Sequence, residues 1–208
     1  MKINLLCPIK NQKSTYNQLN SKFYSFLYKV TSIDEVKFYL KALKENFPDA
    51  SHICYAYRLF DGFTILNDIN TSDFSADSGE PRGSAGPPIL KILKKFKLVN
   101  SSIFVVRYFG GKKLGIPGLI EAYSKSSQLV IDSQNMKKWF PTVDIKLYYP
   151  YSIENKINSL FSTFNIKIKK QEFKESIYSV IQLNQLKMND FIDKIGNFPD
   201  CKVDYNKN

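Results

Sequence analysis

Two stretches of this chain gather the residue types that bind or transform a charged ligand. The first, SADSGEPRGSAGPPIL, sets Asp77, Glu80 and Arg82 among Gly79, Gly83 and Gly86. Two carboxylates this close can share acid–base work or hold a hard cation. In a glycine-rich turn the same carboxylates can instead accept backbone N–H bonds, with Arg82 pairing with one of them. The second stretch, RYFGGKKLGIPGL, delivers Arg107, then Gly110 and Gly111, then Lys112 and Lys113, then Gly115 and a helix start near Pro117–Gly118. Exposed N–H groups, the positive end of a helix and two ammonium groups are the parts of an anion site. The GK[ST] ending of a nucleotide-triphosphate loop is absent, and so is GxGxxG. Phosphate of RNA or an acidic protein surface fits such a site, and a solvated turn is the alternative. Tyr108 and Phe109 can stack on bases, but strand alternation turns at least one of them into the core.

Other chemistries find little support. His52 is the single histidine, which removes mechanisms that need two. Alternation puts His52, Cys54, Ala56 and Arg58 on one face of a strand, with Ile53, Tyr55, Tyr57 and Leu59 on the other. A Cys54–His52 nucleophilic pair meets poorly there, because residues two apart on a strand point in parallel. A hydrogen-bonded structural histidine is the expectation. The three cysteines, Cys7, Cys54 and Cys201, form no CxxC and fit a reducing compartment. The N-terminal apolar stretch is short for a signal core, and no segment nears a membrane span of about 18 apolar residues. A soluble cytoplasmic protein, with no membrane partner, is expected. Its net charge of +11 points toward a polyanion, although the richness in Asn, Lys, Ile, Phe and Tyr inflates lysine without any function. Residues 1–132 hold 18 basic and 11 acidic side chains, and Lys137 and Lys138 follow, so an anion site is expected in the first domain or the linker rather than beyond residue 139.

The elements that must position these residues can be read in order. A strand pair is expected from Tyr16 to Val30. Ser32 and Glu35 form a capping box for a helix to about Asn46, with Val36, Tyr39, Leu40 and Leu43 inward. HICYAYRLF reads as a strand, Asp61-Gly62 as a hairpin turn and FTILN as the return. Pro87 and Pro88 open a helix. IFVVRYF reads as a central strand, followed by a helix from about Pro117 to Asp132. Residues 133–138 read as a linker. Beyond it the order is strand, helix, strand, strand, helix, strand, a ferredoxin-like split β-α-β unit whose first helix Ser152 and Glu154 help to start.

Taken together, HICYAYRL, SADSGEPRGSAGPPIL and VVRYFGGKKLGIPGLIEAYS resemble the IMPACT family, in the two-domain layout of its bacterial YigZ-type members. The motif residues that match are His52, Tyr55, Ala56, Asp77, Gly79, Glu80, Pro81, Gly83, Ala85, Gly86, Arg107 to Gly111, Leu114, Gly115 and Gly118. Ser78, Pro117 and Glu121 depart from the residues usual at those places. The resemblance implies an α+β fold. Its first domain, 1–132, would share the β-α-β type of a small ribosomal protein and of domain four of elongation factor G. Its second, 139–208, would be similar to the last domain of that factor. It also implies a link to translation control, and it carries no agreed catalytic set and no cofactor.

The expectation is therefore a non-enzymatic regulator that binds RNA, the ribosome or a translation-associated protein. Its contacts would be Arg82, Arg107, Tyr108, Gly110, Gly111, Lys112, Lys113 and Gly115, in loops shaped by Gly79, Gly83, Gly86 and Gly118. The alternative is an enzyme acting on a phosphorylated small molecule in a cleft between Asp77, Glu80 and the loop from Gly110 to Gly118.

Overall fold

Ile103, Phe104, Val105 and Val106 are all fully buried, and the first half of the molecule is built around them. An uninterrupted apolar run suits only a strand covered on both faces. In this computed structural model, which describes residues 4–64 and 68–205, that strand lies at the middle of a five-stranded sheet.

The chain divides into the units Met1–Trp139 and Phe140–Asn208. The first begins with strands β1 (Leu5–Pro8), β2 (Gln12–Gln18) and β3 (Ser21–Lys29), then helix α1 (Ile33–Asn46). Strands β4 (His52–Phe63) and β5 (Ile69–Ala76), helix α2 (Gly86–Lys95), strand β6 (Ser101–Tyr108), helix α3 (Gly115–Leu129) and strand β7 (Met136–Trp139) follow. The sheet runs β2-β3-β6-β4-β5, antiparallel throughout. Alternation sorts its faces. Phe23, Leu27, Cys54, Ala56, Ile103 and Val105 pack against α2 and α3, through Ile89, Leu93, Leu119 and Tyr123 among others. Ile53, Tyr57, Leu59, Phe104 and Val106 face Val36 and Leu43 of α1, with Tyr24, Tyr28 and Tyr108 beside them.

Local signals explain most boundaries. The Ser32 side chain accepts from the Glu35 N–H at 3.2 Å, and the Glu35 carboxylate accepts from Thr31. The capping box therefore starts α1 as expected. The prolines stand in the first turn of α2, where a missing N–H costs nothing.

The second unit has strand β8 (Thr142–Tyr149), helix α4 (Glu154–Phe164), strands β9 (Lys167–Phe173) and β10 (Ile177–Asn184), helix α5 (Met188–Ile195) and strand β11 (Lys202–Asp204). Its antiparallel sheet runs β11-β8-β10-β9, the ferredoxin-like order. Ile145, Leu147, Ile177, Ile181 and Leu183 pack with Ile157, Phe161 and Phe164 of α4 and with Phe191 and Ile195 of α5. Among the described residues no helix is long and apolar enough to cross a membrane.

Three expectations are corrected. Asp61-Gly62 is not a hairpin turn, because β4 continues through it to Phe63. Gly62, at φ +84°, lies where the pairing with β5 shifts register, so the signal marks an irregularity in a strand. Of the expected return strand FTILN, Phe63 belongs to β4, and Ile65, Leu66 and Asn67 lie outside the described residues. Residues 133–138 do not form a free linker: a 3-10 turn (Ser133–Asn135) leads into β7, which pairs with β1. Glu154 does open α4, as the acidic residue of its first turn, whereas Ser152 sits in a preceding 3-10 turn and no side chain caps the helix.

One glycine shows how tightly the second glycine-rich loop is docked. A Cβ on Gly110 would stand 2.0 Å from the Asn20 carbonyl carbon in the β2–β3 turn. Only glycine allows that approach. Gly110→Ala is expected to lower the stability of the first unit by roughly 1–3 kcal/mol, the scale of an overpacked contact. Urea unfolding followed by fluorescence measures it; an unchanged midpoint would contradict the close approach.

Candidate functional site

The register of three strands builds the floor of the site. Phe23 of β3 and His52 of β4 both pair with Arg107 of β6, so the three share one row on the face covered by α3. The first glycine-rich loop leaves β5 at Ala76 and carries Glu80 to this row. The Glu80 side chain is 3% exposed and that of Arg107 6%. Arg107 Nη1 donates to Glu80 Oε1, and the Tyr123 hydroxyl of α3 donates to the same oxygen at 2.8 Å. Arg107 Nη2 lies 3.4 Å from the Ser21 hydroxyl, which also accepts from the Gly110 N–H at 3.2 Å. The guanidinium lies 5.6 Å from the Phe23 ring centroid and 5.5 Å from that of Phe109. A buried charge survives only when paired and hydrogen-bonded, and this one is both.

His52 donates from Nδ1 to the Ser78 carbonyl, 3.1 Å away, since a carbonyl can only accept. That turns Nε2 toward Glu80 Oε2, at 3.9 Å. The Cys54 thiol donates to the Asp77 carbonyl at 2.9 Å and lies 3.4 Å from the Tyr123 hydroxyl. Burial pushes the thiol up to about 12, well above the range in which it would attack as thiolate. Burial likewise raises Tyr123, helped by Cys54 and Glu80, so its hydroxyl stays a donor. Among the described residues no group of three or more metal-ligating side chains comes together.

Asp77 has a different task. Its carboxylate accepts from the N–H groups of Gly83 (2.8 Å), Ala85 (2.9 Å) and Gly86 (2.8 Å). Burial opposes its charge. The three N–H groups, with the field of Arg82, outweigh burial and hold the carboxyl below the usual carboxylate range. Asp77 therefore folds the loop and feeds the first turn of α2. Gly86 packs so closely that a Cβ there would lie 2.7 Å from the Ala76 nitrogen.

The two glycine-rich loops meet. Glu80 and Pro81 of one, and Phe109, Lys113, Leu114, Gly115 and Ile116 of the other, line a cleft of about 440 Å³ with His52 and Arg107 at its base. Helix α3 starts beside it with no side chain capping its N-terminus. Lys112 and Lys113 are exposed, as is Arg82 on the first loop.

Several expected roles change. Arg107 is not an outward contact, because the register buries it and Glu80 holds it. Glu80 pairs with Arg107 rather than Arg82. Tyr108 points to the opposite face of the sheet, edge-on to Tyr24. Phe109 is 48% exposed and walls the cleft instead. Gly111 and Gly115 both take positive φ in the second loop, as Gly79 and Gly83 do in the first. Gly118 follows Pro117 in the first turn of α3. Sequence reading missed Tyr123 and Ser21 as parts of this network. Helical periodicity turns Tyr123 inward but names no partner for it, and nothing local marks Ser21.

Residues 19–131, more than half of the chain, match the family model of the Impact N-terminal domain. The chain is 38% identical over 106 residues to an IMPACT family member, YvyE of Bacillus subtilis (strain 168), covering 51% of this chain and 46% of that one. It is 26% identical over 178 residues to the IMPACT family member YigZ of Escherichia coli (strain K12), covering 86% and 85%. A crystal structure of a hypothetical protein superposes on 100% of this chain and 99% of that one, with a TM-score of 0.61 at 22% identity, a likeness of fold.

Two outcomes are expected. Glu80→Ala leaves Arg107 buried without a counter-charge and should cost about 3–5 kcal/mol. Combining it with Arg107→Met should cost less than the two single changes added together; strict additivity in urea unfolding would refute the coupling. Asp77 has a folded-state pKa below its unfolded value of 3.8, so its contribution is present above that value and lost as pH falls through the lower one. In Asp77→Asn the fall of stability with pH below about 4 should be shallower. A slope equal to that of the unaltered chain would contradict the assignment.

Proposed function

The chain belongs to the IMPACT family, and from that premise we propose that it is a cytosolic, non-enzymatic regulator linked to translation. It acts by holding RNA, or the RNA of a ribosome, at the mouth of the cleft between its two glycine-rich loops. The observation that carries this reading is the meeting of those loops. Lys113 lines the cleft, Lys112 beside it in sequence and Arg82 on the first loop are exposed, and α3 starts next to the cleft with no side-chain cap on its first N–H groups. Phosphate is the group that satisfies both features at once. The Glu80–Arg107 pair contributes no net charge; its role is to fix the base on which both loops rest. A translation-associated protein with an acidic surface would meet the same groups, and binding that survives nuclease treatment separates it from RNA.

A second reading, an enzyme acting on a phosphorylated small molecule, draws support from the cleft's volume and from Glu80 at its base. It loses Asp77, which does not line the cleft and whose oxygens are engaged by backbone N–H groups.

Phosphate contacts release counterions, so the RNA affinity should fall steeply with salt. Lys112→Glu with Lys113→Glu should make the slope of log affinity against log salt shallower, by about 0.7 per lost contact on a single strand. Fluorescence anisotropy over a salt series reads this. An affinity independent of salt, or a slope unchanged in the variant, would overturn the reading.

A further inference from the structure

The two faces of the second unit's sheet differ. Helices α4 and α5 cover one, and among the described residues no element of that unit covers the other. Register identifies what stands there. Tyr148 of β8 pairs with Tyr178 of β10, so the two rings lie side by side on the two central strands. Their centroids are 4.7 Å apart and tilted by 34°, and Tyr148 is 42% exposed. Large aromatic side chains on an open face, where no core demands them, call for a partner with aromatic faces of its own.

The surroundings indicate its charge. Lys202 of β11 pairs with Tyr148, Lys146 lies opposite Val180, and Lys170 also faces Val180 from β9. Lys167 lies opposite Gln182, and Lys169 reaches Asp144 at 2.6 Å. Against these five lysines stand Asp144, Glu172 and Asp204. Each of the three acids is already within 4.0 Å of a lysine, so the face keeps a surplus of two positive charges. Lys174 and Glu175, in the β9–β10 turn, cancel one another. A shallow groove of about 600 Å³ runs from the tyrosine pair to this turn, past Glu172 and Ser176.

We propose that this open face is a binding site for single-stranded nucleic acid, with bases stacking on Tyr148 and Tyr178 and lysines tracking the phosphates. The physical case rests on topology. A four-stranded β-α-β-β-α-β sheet with aromatic side chains on its first and third strands is an arrangement on which single-stranded bases can stack. A basic surround supplies the electrostatic term. A duplex would fit poorly, because its bases are already stacked. This site is separate from the cleft of the first unit and does not depend on the reading given to it.

The test uses the full chain and a fluorescent oligo-uridine of about ten nucleotides, within the span of one small binding fold. Tyr148→Ala with Tyr178→Ala should weaken binding about 10- to 100-fold, the effect of losing one or two stacked bases. Tyr148→Phe with Tyr178→Phe should retain it, since stacking needs the ring and not the hydroxyl. The alanine pair should leave the salt slope unchanged, which distinguishes it from loss of the lysine contacts in the first unit. Lys170→Glu with Lys202→Glu, which leaves the core untouched, should also weaken binding. An alanine pair within twofold of the unaltered chain, or equal losses in the alanine and phenylalanine pairs, would overturn the proposal. So would equal affinity for a duplex of the same length, or failure to bind the oligo-uridine at all.

Discussion

A buried ion pair between Glu80 and Arg107 holds the first unit's loops in their working arrangement. Neither charge can stay where it is without the other, because the desolvation of each is offset only by its partner and by Tyr123 and Ser21. Glu80 comes from the first glycine-rich loop, Arg107 from the central strand, Tyr123 from α3 and Ser21 from the start of β3. One pair therefore ties four separate parts of the chain to a single point. The cleft is the space left above that point.

The glycines act with this pair. Gly110 lets the second loop lie against the backbone of the β2–β3 turn, which brings its N–H to the Ser21 hydroxyl that also meets Arg107. Gly86 lets α2 begin against Ala76, within reach of Asp77. Asp77 and Glu80, three residues apart in one motif, thus do opposite work. One accepts backbone N–H groups and shapes its own loop. The other leaves its loop and pairs across the fold. Their chemical identity is nearly the same, and their surroundings divide the labour. Burial, helped by the nearby Glu80 and Asp77 carboxylates, keeps the Cys54 thiol protonated.

Much of the architecture was legible because it rests on short-range patterns. Ser32 and Glu35 announce a helix start, Pro87 and Pro88 another, and the run from Ile103 to Val106 a covered strand. The element order of the second unit led directly to its sheet. Failures fell where a local signal has two structural meanings. Asp61-Gly62 serves a hairpin turn and a strand irregularity equally well, because both need one residue at positive φ. Residues 133–138 look like a connector until β1, far away in sequence, supplies a pairing edge.

For the site, the chain by itself determined which segments matter, which of them bend at glycine, and that lysines and an uncapped helix start follow one another in the second. It also determined the alternation that sends Tyr108 and Arg107 to opposite faces. The tertiary structure alone decided that Arg107 points inward to Glu80 rather than outward to a ligand, and that Asp77 faces its own loop. It also decided that Tyr148 and Tyr178 stand together. The reason is the range of the interactions. Propensity, capping and alternation act over a few residues and can be read along a line. Ion pairing and cross-strand register join residues 27 or 30 positions apart, and only the folded sheet brings them within reach.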